Sequence, residues 1–317
     1  MSRYTIVIHG GAGTILKEDM TPELEQQFEE GLKAALEAGY AVLENGGSAV
    51  DAVKSAVAEL ENNVLFNAGR GSVFTHEGKQ EMDAAIMDGN DLKAGAVAGI
   101  TNVKNPVALA LEIMKNSDHV LLGGKGALDF AKAHSIAIEA DEYFFSQYRF
   151  DQLQAAKEKG ETILDHNLKK QLDTLLKDKK FGTVGAVACD KKGNVAAATS
   201  TGGMTNKKWG RIGDSPLIGC GTYANNNTCA VSCTGHGELF IRAVTAYDVS
   251  CLMEYKGLSV QDAADKVVME KLKKINGEGG LIAVDAAGTP AFSFNSEGMY
   301  RGVKSSDGLQ EVLIYKE

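Results

Sequence analysis

No basic run stands out anywhere in the chain. The formal net charge is −9 over 317 residues. Neutralising phosphates takes clustered Lys and Arg, so no nucleic-acid partner is expected. No stretch approaches the ~18 consecutive apolar residues of a membrane span, and no membrane partner is expected either. The opening, Met1 to His9, is too short an apolar run for a signal peptide and lacks a small-residue cleavage site. Cysteine is scarce and unpatterned. Cys189, Cys220, Cys229, Cys233 and Cys251 are odd in number and show no disulfide-framework spacing, which points to a reducing cytoplasm. Several catalytic signatures are also missing. There is no GxxxxGK[ST], no HExxH, no G-x-S-x-G elbow, and no full GxGxxG after a strand. Cys229 and Cys233 fall on one face of a strand with no histidine at ligand spacing, so they read as small packed hydrophobes rather than zinc ligands.

Glycine, in contrast, is abundant, with 36 residues, and it clusters. The clusters are His9-Gly-Gly-Ala-Gly13, Gly69-Arg-Gly71, Thr201-Gly-Gly203 and Thr234-Gly-His-Gly237. Clustered glycine marks tight turns or backbone brought close to a ligand. The apolar content, 44%, is enough for a full core. The six histidines are scattered. Only His9 and His236 lie in glycine clusters, and a turn-stabilising role is their plain reading.

Tyr4–Ile8 reads as a buried strand running into a turn at His9–Gly13. Thr21-Pro22 starts a helix: a capping hydroxyl, then proline at the first position. Leu24, Phe28, Leu32 and Leu36 follow at four-residue spacing and carry the helix to about Leu43. Ser48-x-x-Asp51 opens a second helix with Val50, Val53, Val57 and Leu60 on one face. Asn67–Phe74 is loop-like, Ala94–Ile100 a strand and Pro106–Asn116 a helix. Residues 151–180 are charged, poor in large apolar side chains and unsuited to a core. Short strands follow at Val184–Cys189, Val195–Ser200, Gly219–Tyr223 and Ala230–Cys233. Helices are expected over Glu238–Tyr255 and Val260–Lys274, the second capped by Ser259. Strands Leu281–Asp285 and Ala291–Phe294 close the chain. Helices, then strands, then helices predict an α/β (α+β) fold, a layered αββα sandwich rather than a doubly wound sheet.

The strongest local feature is the charged segment that runs into Phe181-Gly182-Thr183-Val184-Gly185. The order makes sense if the bond before Thr183 is broken. A glycine carbonyl is little shielded, and the next residue's hydroxyl can attack it and shift the acyl group from nitrogen to oxygen. Hydrolysis of the ester would leave Thr183 as a new N-terminus. Its α-amine, with a reference pKa of about 7.7–8.0, would have a neutral fraction able to accept the hydroxyl's proton.

Gly-Thr before a strand is common in isolation, and the other residues also have plain readings. Arg211 and Asp214 could form a surface ion pair. Thr201 and Thr234 could be strand-end hydroxyls, and Asn67 a turn residue. Their company decides otherwise. Leu65-Phe-Asn67-Ala-Gly69, Ser200-Thr-Gly-Gly-Met-Thr-Asn206, Gly210-Arg-Ile-Gly-Asp-Ser-Pro216 and Thr234-Gly-His-Gly-Glu238 occur together with His9–Gly13. In that order they resemble the plant-type asparaginases, or isoaspartyl peptidases, of the N-terminal-nucleophile hydrolases. The resemblance covers nearly the whole chain and is weakest before Thr183.

The resemblance implies a four-layer αββα sandwich in a single domain, residues 1–317, autocleaved at Gly182-Thr183 into fragments 1–182 and 183–317. The activity it implies is hydrolysis of L-asparagine and of β-aspartyl peptides. Thr183 matches the nucleophile and Thr201 the hydroxyl that holds it in line. Arg211 matches the partner of the substrate α-carboxylate, and Asp214 that of the α-ammonium, to which the Gly237 carbonyl adds. Thr234 and Gly235 match an oxyanion hole, and Asn67 a geometric aid at the scissile bond. Leu60, Glu61, Asn63, Phe66, Ala68 and Arg70 match backbone carbonyls around a structural Na⁺. Asn63 and Arg70 depart from the expected residue types, but carbonyl ligation is blind to side chains. No organic cofactor is implied, and the assembly implied is a homodimer of cleaved units.

Three rivals stand beside this reading. A glycosylasparaginase expects a signal peptide and an Asp before the nucleophile, where this chain has Gly182. The threonine aspartase lacks the acidic residue that Asp214 supplies here. A non-enzymatic anion-binding module would use the glycine turns to cradle phosphate, yet no basic residue accompanies them in a known phosphate motif.

Overall fold

The computed structural model describes residues 3–158 and 182–316. Most of the charged segment expected over 151–180 therefore lies outside the described residues.

Strand β1 spans Thr5–Gly13, and helices α1 (Pro22–Glu44) and α2 (Ala49–Asn62) follow. Local chemistry fixes both helix starts. The Thr21 hydroxyl accepts from the Leu24 N–H at 3.3 Å with Pro22 at the first position. The Ser48 hydroxyl accepts from the Asp51 N–H at 3.1 Å. A short 3₁₀ turn, Gly69–Gly71, leads to β2 (Met82–Asp88), β3 (Ala94–Ile100), α3 (Pro106–Asn116) and β4 (Leu121–Gly123). Helices α4 (Gly124–Ala133), α5 (Asp141–Phe144) and α6 (Gln147–Glu158) complete the first part. After Thr183 come β5 (Val184–Cys189), β6 (Val195–Thr201), β7 (Thr222–Ala224) and β8 (Cys229–Gly235). Helices α7 (Gly237–Ala243), α8 (Thr245–Lys256) and α9 (Val260–Asp265) follow, with α9 continuing as a π-helical stretch over Lys266–Leu272. The chain closes on β9 (Gly279–Asp285), β10 (Pro290–Phe294), β11 (Gly298–Ser305) and β12 (Gln310–Tyr315).

Among the described residues the strands form two sheets. One has eight strands in the order β12-β11-β1-β5-β6-β2-β3-β4, the other four in the order β10-β9-β8-β7. All ladders are antiparallel except β3 with β4. Alternation of side chains across each strand gives the large sheet two buried faces. Ile6, Ile8, Val184, Ala186 and Ala198 pack with Phe28, Leu32 and Val53 of α1 and α2. Val7, Val187, Cys189 and Ala197 point the other way, onto Ala230, Ile282 and Val284 of the small sheet. The far side of the small sheet buries Val231, Cys233 and Leu281 against Val249, Ala263 and Val267. The molecule is thus a mixed α/β fold.

Several expectations need correction. His9–Gly13 is not a turn: β1 runs through it, with a bulge between His9 and Gly11 where it pairs β11. Strand β5 pairs β1 as far as His9, and beyond the bulge β11 alone pairs Gly11, Ala12 and Gly13 and keeps the run in the sheet. The single helix expected over Glu238–Tyr255 breaks at Val244, whose φ of 50° is left-handed, into α7 and α8. The strand expected at Gly219–Tyr223 is only Thr222–Ala224. Strands β11 and β12 extend the chain's closing elements, and β2 adds another that sequence periodicity did not mark. Helix α6 buries Leu153 and Ala156, so the start of the charged segment does contribute to the interior.

Candidate active site

Thr183 precedes β5 at the centre of the large sheet, and its side chain is buried. Its hydroxyl lies 3.1 Å from the Thr201 hydroxyl at the end of the neighbouring β6. Thr201 Oγ1 also accepts from the Gly203 N–H at 3.0 Å. The nucleophile candidate is therefore tied to the loop that leaves β6. Asn67 clamps that loop from the other side. Its Nδ2 donates to the Gly203 carbonyl at 2.8 Å, and its own carbonyl accepts from the Gly202 N–H at 3.1 Å.

Strand β1 passes directly beneath the bond before Thr183. A Cβ on Gly11 would lie 2.6 Å from the Gly182 nitrogen, and Gly11 has a φ of +116° that other residues rarely adopt. Beside it, the buried His9 ring places Nε2 2.9 Å from the Ser232 hydroxyl. Burial pulls the His9 pKa down to about 3, against a smaller opposing contribution from hydrogen bonding toward the Thr183 backbone. The ring is neutral across the physiological range. From Ser232 the buried hydroxyls continue to Thr199 at 2.7 Å and on to Thr222 at 2.7 Å.

Gly182, Thr183, Thr201, Gly203, Arg211, Asp214 and Gly235 line one small cavity, together with Met204, Gly213 and Ser215. It is smaller than the groove at the β10–β11 edge around Phe292, Phe294 and Arg301. Chemistry, not size, singles it out, because the nucleophile candidate and two opposite charges converge there. Asp214 is buried, and its Oδ2 has no hydrogen-bond partner among the described residues. Burial raises the Asp214 pKa to about 7, a shift that the Arg211 charge only partly offsets. Gly237 is not among the lining residues, but it abuts both charges. A Cβ there would lie 2.8 Å from an Arg211 nitrogen and 3.0 Å from Asp214 Oδ1. Thr234 is fully buried at the end of β8 and accepts from the Ala12 N–H at 3.3 Å. That bond occupies a lone pair and leaves its single O–H free to donate.

Of the carbonyls expected around a cation, those of Glu61 and Phe66 lie against the Gly69–Gly71 turn. A Cβ on Gly71 would sit 2.0 Å from the Phe66 oxygen and 2.7 Å from the Val64 oxygen, so only glycine lets the backbone close there. The oxygens of Leu60, Asn63, Phe66 and Ala68 each accept one backbone N–H, from Asn63, Phe66, Ala68 and Gly71 in turn. Each keeps a second lone pair. The Arg70 side chain turns away onto the Tyr143 ring, 5.3 Å from its centroid. The Glu61 carboxylate is engaged elsewhere, accepting from the Val107 N–H at 2.9 Å, and burial raises its pKa to about 7. Carbonyl oxygens with a spare lone pair are the donor type that hard cations take.

Two features escaped the sequence reading. Lys207 is almost fully buried behind Gly203 and donates to the Glu81 carbonyl at 2.8 Å, with the buried Asp83 as its main opposing charge. Glu238 grips Arg211 through two bonds of 2.9 Å. Its place at the end of Thr234-Gly-His-Gly-Glu238 was the available signal.

A model of the asparaginase family matches residues 2–314. The chain belongs to that family. It is 52% identical over its whole length to an isoaspartyl peptidase of Salmonella typhimurium, and the match covers all of that protein. It is 51% identical to an isoaspartyl peptidase of Escherichia coli, covering all of this chain and 98% of the relative. A plant-type L-asparaginase of Pyrococcus horikoshii is 43% identical, with 96% of this chain and 97% of the relative covered. The asparaginase-family match thus spans both sides of Gly182-Thr183 and every residue of the cavity. Among the described residues no helix is long and apolar enough to cross a membrane.

Proposed function

We propose that this chain is a self-processing threonine amidohydrolase. It hydrolyses L-asparagine to L-aspartate and ammonia, and it removes N-terminal β-aspartyl residues from isoaspartyl peptides. The observation that carries this is a nucleophile-type hydroxyl pair, Thr183 and Thr201, in one cavity with Arg211 and Asp214. Relatives at about half identity over the full chain, named isoaspartyl peptidases, support it. The fold is read as a four-layer αββα sandwich, a single domain of the N-terminal-nucleophile type.

In processing, Thr183 Oγ1 attacks the Gly182 carbonyl carbon. The C–N bond breaks as an ester forms, which frees the Thr183 amine with the proton of the attacking hydroxyl, and water then hydrolyses the ester to release the Gly182 carboxylate and restore the Thr183 hydroxyl. In turnover that amine takes the proton from its own hydroxyl, which attacks the side-chain carbonyl of the substrate. Thr201 holds the hydroxyl in line. The Thr234 hydroxyl and Gly235 N–H stabilise the oxyanion. The intermediate expels ammonia or a peptide amine, which leaves with the proton held by the α-amine. Water then releases aspartate from Thr183. Arg211 takes the substrate α-carboxylate, and Asp214 with the Gly237 carbonyl takes the ammonium.

Asn67 keeps the Gly202–Gly203 turn in register with both threonines. A Na⁺ held by the carbonyls of Leu60, Glu61, Asn63, Phe66, Ala68 and Arg70 would supply a fixed positive charge that orders the loop bearing Asn67. The unpaired cysteines fit a reducing, cytoplasmic setting, and the working assembly is read as a homodimer of cleaved units.

The α- and β-linked dipeptides test the reading. In α-Asp-Leu the α-carboxylate is consumed by the peptide bond, and Arg211 loses its partner. Purified enzyme should split into two fragments on a denaturing gel, cleave β-Asp-Leu and ignore α-Asp-Leu. Equal rates on the two, or full activity from an uncut chain, would overturn it.

A further inference from the structure

Arg211 does not meet the cavity unaided. Glu238, in the first turn of α7, takes the Nε and Nη2 edge of the guanidinium with both carboxylate oxygens at 2.9 Å. His236 Nε2 lies 3.2 Å from Glu238 Oε2, behind the carboxylate. The remaining end of the guanidinium faces the cavity. A Cβ on Gly213 would lie 3.0 Å from Nη1, and one on Gly203 3.6 Å from it, and both glycines line the cavity. Arg211 is therefore held by its outer edge and presents Nη1, with the second Nη2 hydrogen, inward.

We infer that Glu238 is a positioning residue for substrate recognition, fixing the inward face of Arg211 so that it selects substrates bearing an α-carboxylate, with His236 bracing Glu238 from behind. The inference rests on the amidohydrolase reading above. Its physical basis is the planar fork: a guanidinium held bidentately on one edge has lost its rotational freedom before the ligand arrives. A long side chain left unheld must be ordered by the substrate itself, and affinity falls by that cost. The corner between β8 and α7 then carries two duties on consecutive residues. Thr234 and Gly235 face the reacting carbonyl, while His236 and Glu238 set the arginine.

L-Aspartate and β-alanine make the discriminating pair, because β-alanine is aspartate without its α-carboxylate. Both are measured as competitive inhibitors of β-Asp-Leu hydrolysis, beside KM and kcat for asparagine. In Glu238→Ala the asparagine KM and the L-aspartate inhibition constant should rise about tenfold or more, the scale of one lost charge-assisted interaction. The β-alanine constant should stay within about twofold, because that ligand does not use Arg211. Glu238→Gln keeps the shape and one acceptor and should fall between. His236→Ala should show a smaller rise in the same ligand-selective sense. Self-cleavage should proceed in all three, which reports their folding. An unchanged or tighter aspartate constant, or equal weakening for aspartate and β-alanine, overturns the inference. Failure of wild-type enzyme to turn over β-Asp-Leu would instead overturn the amidohydrolase reading.

Discussion

Asp214 combines a charge requirement with a desolvated position. Burial raises its pKa to about 7 from an ordinary 3.8, so below that pH the free site is neutral and a poor partner for an ammonium. The kcat/KM for asparagine should therefore fall as pH drops through about 7, and the acid limb of kcat should lie lower because the bound ammonium favours the carboxylate. Stability runs the opposite way. Between 3.8 and about 7 the folded state holds a proton that the unfolded chain has lost, so this group's contribution declines as pH rises across that window. Asp214→Asn should flatten the acid limb of whatever activity remains; a limb unchanged in position would assign it to another group. Arg211→Leu removes the partner of the substrate α-carboxylate and should cost roughly a hundredfold or more in kcat/KM on asparagine, yet leave self-cleavage intact. Thr183→Ala removes the attacking hydroxyl and should run as one uncut band.

Among the elements, the β6 loop is held from two sides, by Thr201 and by Asn67. Exchange of Na⁺ and K⁺ for a bulky organic cation should loosen the Asn67 side and lower activity or melting temperature. No change in either would argue against the carbonyl site. Gly11→Ala forces a Cβ against Gly182 and should block or greatly slow cleavage, read by intact mass.

Elements with local chemistry were legible in the sequence. The Thr21 and Ser48 caps and the Phe28, Leu32 and Leu36 stripe fixed α1 and α2 within a residue or two. Strand β2 was not legible, because Met82-Asp-Ala-Ala-Ile-Met-Asp88 is buried almost throughout and shows no alternation. Strand β12 is half exposed at a sheet edge, and its pairing comes from β11, not from its own pattern. The reach from Glu238 to Arg211 spans 27 positions and depends on how the β6–β7 loop folds back, which no periodicity records. The Thr183–Thr201 contact, by contrast, follows from two adjacent strands, β5 and β6, paired in register.

At the scale of the whole molecule, the order of the large sheet interleaves the two sides of Gly182-Thr183. Strand β1 comes from before that bond and lies between β5 and β11, which come from after it. Strand β2 likewise lies against β6. A break at the bond leaves these ladders paired, so the pieces stay together without any covalent tie. It changes the bookkeeping of unfolding all the same. An intact chain refolds on itself at a rate independent of concentration. Once cut and melted, the same sequence becomes two solutes that must meet before either can complete its sheet. Its melting temperature should then rise with protein concentration, and its recovery after dilution from denaturant should be second order and vulnerable to aggregation. Thr183→Ala, uncut, should show neither dependence within the subunit. The protein would thus acquire its activity and lose its memory of how to refold in a single step.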